Sequence, residues 1–400
     1  MELALVGVGA TGSRIVDRVR DREAETGRAF SGGNALVCDI SRTMTDDVGT
    51  IPEERRVLIG DTHPEVTADG VDGGPELAAE VTRGDLPEIR RALDALDVYD
   101  ADGVLVVAGL GSATGSGAGS VLVEELQATY DEPVYALGVL PDESDGGTAA
   151  LNAARALRSI VPAAESTITF DHDAWLRSES PDRDEAARAL AERIVTLFAA
   201  GERDSSPIAE NAVDSSDVVR TLAPGGIASI GHATTEVDSG TGLLARLLSW
   251  FGYGPEEPER TTDAAKVNSL VQRATSSRLT VPCDVSSAER VLVVLSGPPS
   301  ELSRRGFESA RQWIEQEVDT VEVLAGDDPR TGSSTLEALV VLSNVTDVPR
   351  IDELQRAALE HEAERSADET REAERSVDET DHPVDEAHGS ADDPVAADDA

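Results

Sequence analysis

The segment Val104–Ser120 constrains the fold of this chain more than any other. An apolar run reaches Gly109, a stretch rich in glycine and threonine begins at Gly111, and a regular helical pattern follows from Val121. This succession predicts a strand, a glycine-rich loop and a helix, whose backbone N–H groups and positive dipole end point at one spot. Such a junction suits a phosphate, and it is also typical of a tight turn that binds nothing. The loop lacks the Gly-Lys-Ser/Thr of a Walker-type phosphate loop.

Short apolar runs alternate with amphipathic helical stretches over the first half of the chain. This alternation predicts an α/β fold with a doubly wound parallel sheet, and such sheets bind ligands at the carboxyl ends of their strands. The predicted strands are Glu2–Val8, Ala35–Asp39, Arg56–Ile59, Gly103–Ala108, Val134–Leu140 and Ser166–Phe170, and the predicted helices are Gly12–Glu25, Pro75–Ala95, Ser120–Tyr130 and Thr148–Val161.

The rest of the sequence predicts a second, smaller domain. A long helical pattern at 185–202 would connect residues 1–184 to an irregular linker at 203–262 and a smaller α+β domain at 263–355. Within the linker, the apolar segment Gly242–Gly254 is typical of an amphipathic helix packed on its own body or, alternatively, of a surface for a partner or membrane. Residues 356–400 have high charge and few large apolar side chains, which predicts a disordered acidic tail.

The charge of the chain disfavours nucleic acid as a partner and indicates a salt-rich environment. There are 78 acidic against 34 basic residues, for a net charge of −44, and Lys266 is the only lysine. A body this acidic repels itself at low ionic strength, whereas molar salt screens the repulsion. We therefore expect a protein of a salt-rich cytoplasm, the alternative being an ordinary acidic protein. Nucleic-acid binding is disfavoured because no basic stripe is present to contact phosphates.

Neither a secretory signal nor an apolar run long enough to span a membrane is found in the sequence, which predicts a cytoplasmic protein with no transmembrane segment. Cys38 and Cys283 lie in apolar contexts and predict buried free thiols. The six histidines are not spaced like metal ligands, so no protein metal site is expected.

Two glycine-rich junctions, in this order, resemble those of the tubulin/FtsZ superfamily. Gly111–Gly117 (GSATGSG) is similar to that superfamily's phosphate signature, and Gly7–Ser13 (GVGATGS) follows the first strand. A Rossmann dehydrogenase needs only the first junction, so the pair favours the tubulin-like alternative. Four further segments resemble CetZ, the archaeal tubulin-like family of cell-shape proteins, and extend the resemblance to about residue 355; they are Gly146–Arg155, Phe170–Trp175, Ser296–Gly306 and Val341–Arg350.

The resemblance implies a GTP-binding domain, a central helix and a second domain that abuts the next subunit in a filament. It implies GTP as the cofactor, accompanied by Mg or K ions, and a slow, polymerisation-dependent hydrolysis. The implied partners are further copies in head-to-tail contact and other tubulin/FtsZ-family proteins, with any membrane association peripheral. The residues expected to bind phosphate are Gly9, Ala10, Thr11, Gly12, Ser13, Arg14, Gly111, Thr114, Gly115, Ser116 and Gly117.

An acidic loop that completes hydrolysis is implied by Ala212–Val218, which resembles the N-V-D-F-A-D-V of FtsZ. Asp217 is the predicted catalytic residue that positions the attacking water, with Asp214 supporting it. The alternative is that Asp214 or Ser215 caps the following helix. The two roles are compatible with each other.

Several positions depart from the family pattern. Ser112 and Ala113 replace two glycines of the phosphate loop, where a Cβ atom would oppose positive φ. Asp145 takes the place of a glutamate that contacts the ribose, and His172 takes the place of an asparagine that contacts the base.

The guanine-binding Asn or Asp of the central helix aligns with Ala187, after a short deletion. The side chains that could substitute from the preceding turn are those of Arg183, Asp184 and Glu185. An unpaired base edge costs about 1–3 kcal/mol, so we expect weaker or less base-selective nucleotide binding. A second hypothesis follows, in which the chain is a non-hydrolysing paralogue that modulates or scaffolds the assembly of its relatives.

Overall fold

The structure is a computed structural model, and it describes residues 1–42, 48–71, 74–96, 98, 101–178, 182–200, 213–237, 261–277, 279–302, 304–318 and 322–380. The predicted apolar segment Gly242–Gly254, most of the predicted linker and the tail from Asp381 onward lie outside these residues.

The first half of the chain forms the predicted parallel sheet with helices on both faces. Five of its strands are buried at every residue, which explains their continuous apolar sequence. Its strands are β1 (Leu3–Val8), β2 (Ala35–Asp39), β3 (Arg56–Leu58), β6 (Gly103–Gly109), β7 (Val134–Leu140) and β8 (Ser166–Asp171), with a small hairpin of β4 (Val66–Thr67) and β5 (Gly70–Val71). Its helices are α1 (Gly9–Thr26), α2 (Gly74–Leu93), α3 (Ala113–Thr129), α4 (Gly146–Ala163) and α5 (His172–Ser178).

The second half is a smaller α+β unit that extends the same sheet. The strands of the ten-stranded sheet lie in the order β11-β10-β12-β9-β8-β7-β6-β1-β2-β3, and β12 runs antiparallel to both of its neighbours. Its elements are α6 (Arg183–Phe198), α7 (Ser215–Leu222), β9 (Ile227–Glu236), α8 (Thr261–Ser277), β10 (Arg290–Gly297), α9 (Arg304–Glu317), β11 (Glu322–Pro329), β12 (Thr335–Ser343) and α10 (Pro349–Thr380). The predicted fold class is therefore confirmed.

The glycine-rich stretch after β6 is helical rather than a loop. α3 begins at Ala113, well before the predicted start at Ser120, because the Ser112 hydroxyl accepts the backbone N–H of Gly115 at 3.0 Å and caps the helix. Thr114, Gly115, Ser116 and Gly117 therefore lie in the first turns of α3.

The tail prediction was wrong between residues 356 and 380, where α10 continues as a single helix to Thr380. Leu354 and Ala358 of α10 are buried, so packing against the rest of the protein stabilises the first part of this helix. Farther along, exposed ion pairs between successive turns stabilise it, such as Arg365 with Glu369 at 3.4 Å. Disorder was predicted from the scarcity of large apolar residues, but ion pairs between successive turns also stabilise a helix.

Candidate functional site

A cavity of about 710 Å³ lies at the carboxyl ends of β1, β6, β7 and β8. Residues of α1, α4, α5 and α6 and of the loop before α3 surround it, as expected for a sheet of this topology. Six of the predicted site residues line this cavity, namely Thr11, Arg14, Gly111, Asp145, His172 and Ala187.

Two helix N-termini, those of α1 and α3, face this cavity and carry no acidic residue in their own first turns. α1 begins at Gly9 (φ +68°) with no side-chain cap. The first N–H groups of a helix have no carbonyl partner within it, and the helix dipole is positive there. The donor groups at this end of the cavity therefore fit an anion such as a phosphate.

Three glycines of the two junctions are required by close packing of helices on the sheet or on a neighbouring helix. A Cβ atom at Gly12 would lie 2.1 Å from the carbonyl oxygen of Val107, and one at Gly115 would lie 2.0 Å from that of Gly109. At Gly117 the obstacle is the carbonyl of Pro75, 2.2 Å away. Gly12 and Gly115 allow α1 and α3 to approach the sheet, and Gly117 allows α3 to approach α2, so their role in the described structure is packing.

The two predicted serines at these junctions point away from the cavity. Ser13 and Ser116 are 2% and 3% exposed, and the Ser116 hydroxyl donates to the carbonyl of Ser112 at 2.5 Å. Ala10 and Thr114 do not line the cavity by their side chains, and they can contribute only backbone N–H groups there.

The two substitutions in the phosphate signature cause no backbone strain. Ser112 adopts an extended conformation (φ −88°), and Ala113 starts the α3 helix. Positive φ is therefore not required at either position. The Ser112 hydroxyl also donates to the carbonyl of Gly109 at 3.1 Å, which fixes the turn between β6 and α3.

A buried carboxylate that the sequence analysis missed organises the wall where ribose was expected. Asp142 is 6% exposed; one of its oxygens lies 2.8 Å from Nδ1 of His172, and the other accepts from Arg183. An ionised carboxylate only accepts hydrogen bonds, so Nδ1 of His172 is the donor. Asp145 accepts the backbone N–H of Asp142 at 2.9 Å. The motif Pro-Asp-x-x-Asp directly after β7 was the available signal.

The part of the cavity around Ala187 contains carboxylates that already have partners. Ala187 presents only a methyl group, and Asp184, one turn earlier, also lines the cavity. The Asp184 carboxylate accepts two N–H groups from Arg18, at 2.8 and 3.0 Å, and one from Arg188. Of the three suggested substitutes, Arg183 and Asp184 reach the cavity, whereas Glu185 is not part of its lining.

The acidic pair lies outside the cavity and caps its own helix. Asp214 accepts the backbone N–H groups of Ser216 and Asp217 at 2.9 and 3.1 Å, and Asp217 accepts that of Asp214 at 3.2 Å. This reciprocal arrangement is a capping box at the start of α7. The capping alternative is confirmed, and the exposed Asp214 remains open to solvent.

Two parallel helices, α1 and α6, separate the acidic pair from the cavity. Near the cavity, Arg18 of α1 pairs with Asp184 of α6. At the other end, Arg28 donates to the carbonyl of Ala199 at 2.6 Å and pairs with Asp328 at 3.1 Å. The backbone N–H of Val213, beside Asp214, bonds to the carbonyl of the adjacent Asp327 at 3.4 Å. Since α6 has 16 residues, the two places lie about 24 Å apart.

A network of charged side chains supports the α7 end. Arg330 donates to Glu337 at 2.8 Å and to Asp328 at 3.0 Å, and Nε2 of His232 lies 3.7 Å from Glu337. Burial alone would raise the pKa of Glu337, but the nearby His232 ring and the charge of Arg330 lower it to about 2. No local sequence pattern marks this network, because its members come from β9, β12 and the end of β11.

None of the helices in the described part of the chain combines the length and hydropathy needed to cross a membrane. Within those same residues, no three His, Cys, Asp or Glu side chains converge as a metal site. Cys38 is buried and free, and burial raises its pKa to about 12, which suits an inert thiol.

Comparison with known proteins accounts for both halves of the chain. Residues 2–180 match the Tubulin/FtsZ family GTPase domain, and residues 182–360 match the tubulin-like CetZ C-terminal domain. The sheet, the cavity at its carboxyl edge and the central helix α6 thus define a tubulin-like protein.

The chain belongs to the CetZ family. It is 43% identical to the tubulin-like protein CetZ3 of Haloferax volcanii over 365 residues, and 40% identical to CetZ1 of that organism over 376 residues. Each match covers 90% of this chain and 92% of the relative. Among solved structures, the GDP-bound CetZ1 monomer matches with a TM-score of 0.76 at 35% identity, covering 90% of this chain and 100% of that one. The GTPγS-bound CetZ2 protofilament matches with a TM-score of 0.78 at 31% identity, covering 92% and 100%.

Proposed function

We propose that this chain binds GTP and assembles head to tail into filaments, in which each nucleotide lies between two copies. The observation that supports this most is the separation of the cavity from the Asp214–Asp217 pair by the length of α6. A carboxylate about 24 Å away is unable to act on a nucleotide bound in its own chain. Stacking a second copy with its α7 end over the cavity supplies the missing group.

The chain's own residues suggest a division of labour within the cavity. The N–H groups at the starts of α1 and α3 hold phosphates, and Arg14 at the cavity wall adds a positive charge. Asp145 and His172 contact the ribose and base side, with Asp142 fixing the orientation of the His172 ring. Asp217 of the next copy orients the attacking water, which is the positioning that phosphoryl transfer requires.

Two relatives support the ligand and the assembly. The solved structures of CetZ1 and CetZ2 are described as a GDP-bound monomer and a GTPγS-bound protofilament, and this chain shares their fold along nearly its whole length. Because the chain belongs to the CetZ family, we also propose that the filaments act in the control of cell shape, inside a salt-rich cytoplasm.

The first experiment measures GTP binding, GTP turnover and light scattering on the purified protein in about 2–3 M KCl, where its negative charge is screened. We expect saturable binding, assembly on addition of GTP, and a turnover per molecule that rises with protein concentration, because each site needs two copies. Turnover that is independent of concentration would contradict the shared site.

A second candidate function is supported by the base end of the cavity. Ala187 offers no hydrogen bond there, and the nearby Asp184 is already paired with Arg18. We propose as the alternative that the chain joins or caps filaments of related proteins without hydrolysing GTP itself. In that case the pure protein neither assembles nor turns over GTP, but it sediments with filaments of a relative such as CetZ1.

A further inference from the structure

A buried arginine outside the cavity connects the C-terminal helix to the cavity wall. Arg350 lies in the first turn of α10 and is 6% exposed. Its guanidinium donates to the carbonyl of Pro141 at 2.8 Å and to the carboxylate of Asp173 at 3.0 Å, and it lies 3.5 Å from Asp171. The planar guanidinium can serve several acceptors at once.

The partners of Arg350 belong to two connections at the cavity wall, the loop between β7 and α4, which carries Asp145, and the short β8–α5 connection, which carries His172. Pro141 lines the cavity and immediately precedes Asp142. Asp171 immediately precedes His172, and Asp173 follows it. Asp173 also accepts the backbone N–H of Glu143 at 2.5 Å, which connects one loop to the other. One side chain of α10 thus fixes both loops.

Farther along, α10 contacts the start of α4 on the other side of the same loop. Nε2 of His361 lies 3.1 Å from the hydroxyl of Thr148, and Arg155 pairs with Glu362 at 3.1 Å. The contact is close, because a Cβ atom at Gly147 would lie 2.7 Å from the His361 ring. The loop from Pro141 to Gly147 is therefore fixed at both ends by α10.

We infer that α10 acts as a clamp on the nucleotide cavity and that Arg350 is its main positioning residue. Arg350 touches no nucleotide; it holds the loops of Asp142 and His172 in the arrangement that binds one. Docking of α10 and binding of a nucleoside triphosphate therefore favour each other, because coupling between two sites is reciprocal. The inference rests on the proposed function, since it takes the ligand of this cavity to be a nucleotide.

The test compares the affinity of a fluorescent GTP analogue for four variants in molar KCl. We expect Arg350→Gln to weaken binding about tenfold, within the range of measured couplings. Arg350→Lys retains the charge but loses the forked geometry and should weaken binding less, as should His361→Ala, by about threefold. Arg365→Gln is the matched control, because the ion pair of Arg365 among the described residues is with Glu369 of α10, and it should bind like the unmodified protein.

Hydrogen exchange distinguishes a clamp from a general structural role. In the unmodified protein and in Arg365→Gln, nucleotide should slow amide exchange along residues 350–362, and in Arg350→Gln this protection should be lost. A folded Arg350→Gln protein with unchanged affinity overturns the inference. If Arg350→Gln does not fold, unchanged affinity in His361→Ala overturns it instead.

A failure of the proposed function gives a different result. If the unmodified protein binds no nucleotide, that function is refuted, and the clamp is then tested without ligand. Faster exchange of residues 141–147 in Arg350→Gln than in Arg365→Gln supports it, and equal exchange overturns it.

Discussion

The two ends of the paired helices α1 and α6 differ in charge and in shape. At the cavity end, the N-termini of α1 and α3 meet without acidic residues in their first turns. At the other end, Asp214 and Asp217 stand at the start of α7 and satisfy its free N–H groups themselves. The first arrangement leaves the dipole ends of α1 and α3 without a neutralising carboxylate in their own first turns, and the second places negative charge on the surface. The difference is consistent with our proposal that the two ends are halves of one site, completed when two copies stack.

The two ends are also held together by different forces. Around the cavity, glycines let helix and strand backbones come into contact, and substitutions there meet carbonyl oxygens. Beneath α7, half-buried ion pairs of Arg330 with Asp328 and Glu337 hold the strand ends. Close packing responds to volume and an ion-pair network responds to pH, so each end can be perturbed separately.

The largest effect is expected at the α7 end. Asp217→Ala should slow GTP turnover by about 100-fold in assembled protein, because it removes the carboxylate that we propose orients the water. Nucleotide affinity should stay unchanged, since the cavity is remote from α7. Turnover and affinity are measured on the same preparation in molar KCl.

Asp217→Asn separates the catalytic role from the capping role. The asparagine still accepts the backbone N–H of Asp214 and so preserves the capping box, but it lacks the negative charge. Equal loss of turnover in the two variants indicates that the charge is what matters. Full turnover in Asp217→Asn would reduce Asp217 to a helix cap, whose removal costs only about 1 kcal/mol of stability.

A tenfold effect is expected at the base end of the cavity. Ala187→Asn restores an amide where the side chain now offers only a methyl group, so GTP should bind about 10-fold more tightly. ATP provides the internal control, since an amide that pairs with the guanine edge gives ATP no comparable gain. Equal tightening for both nucleotides would show that the introduced amide acts on the cavity as a whole rather than on the base.

A smaller effect concerns stability and tests the role of the glycines. Gly115→Ala should lower the free energy of unfolding by about 1–3 kcal/mol even without nucleotide, because the Cβ atom meets the Gly109 carbonyl. Gly84→Ala in α2 is the control: no atom lies within 4 Å of its Cβ position, so it should stabilise by about 0.5–1 kcal/mol. If both variants unfold alike, close packing is not why position 115 needs glycine.

The sequence predicted the strands well because a parallel sheet buried on both faces requires continuous apolar runs. β2 and β7 have the predicted bounds, and β1 and β8 differ by one residue. The start of α3 was missed because glycine has a low helix propensity, and only the tertiary contacts with Gly109 and Pro75 explain its use there. These tertiary contacts outweigh the low helix propensity of glycine, and no local sequence pattern reveals them.

The candidate site was predicted through its motifs and missed where it depends on distant partners. Asp145, His172 and Ala187 line the cavity, as the resemblance implied. Asp142 and Arg350 were not identified, because their importance comes from contacts with His172 and with Asp173, far away in sequence. Such partners follow from the fold, and a single sequence gives no spacing rule for them.

The last prediction concerns acid stability and tests the network beneath α7. The pKa of Glu337 is lowered to about 2 from its ordinary value of 4.5. Its contribution to stability is therefore complete above pH 4.5 and is lost as the pH falls toward 2, when the carboxylate must be protonated. Glu337→Gln should lower stability at neutral pH and flatten the acid limb of the stability profile. Glu236→Gln, exposed on β9, is the matched control. An acid limb that is equally steep in both variants would mean that this network does not set the acid sensitivity of the α7 end.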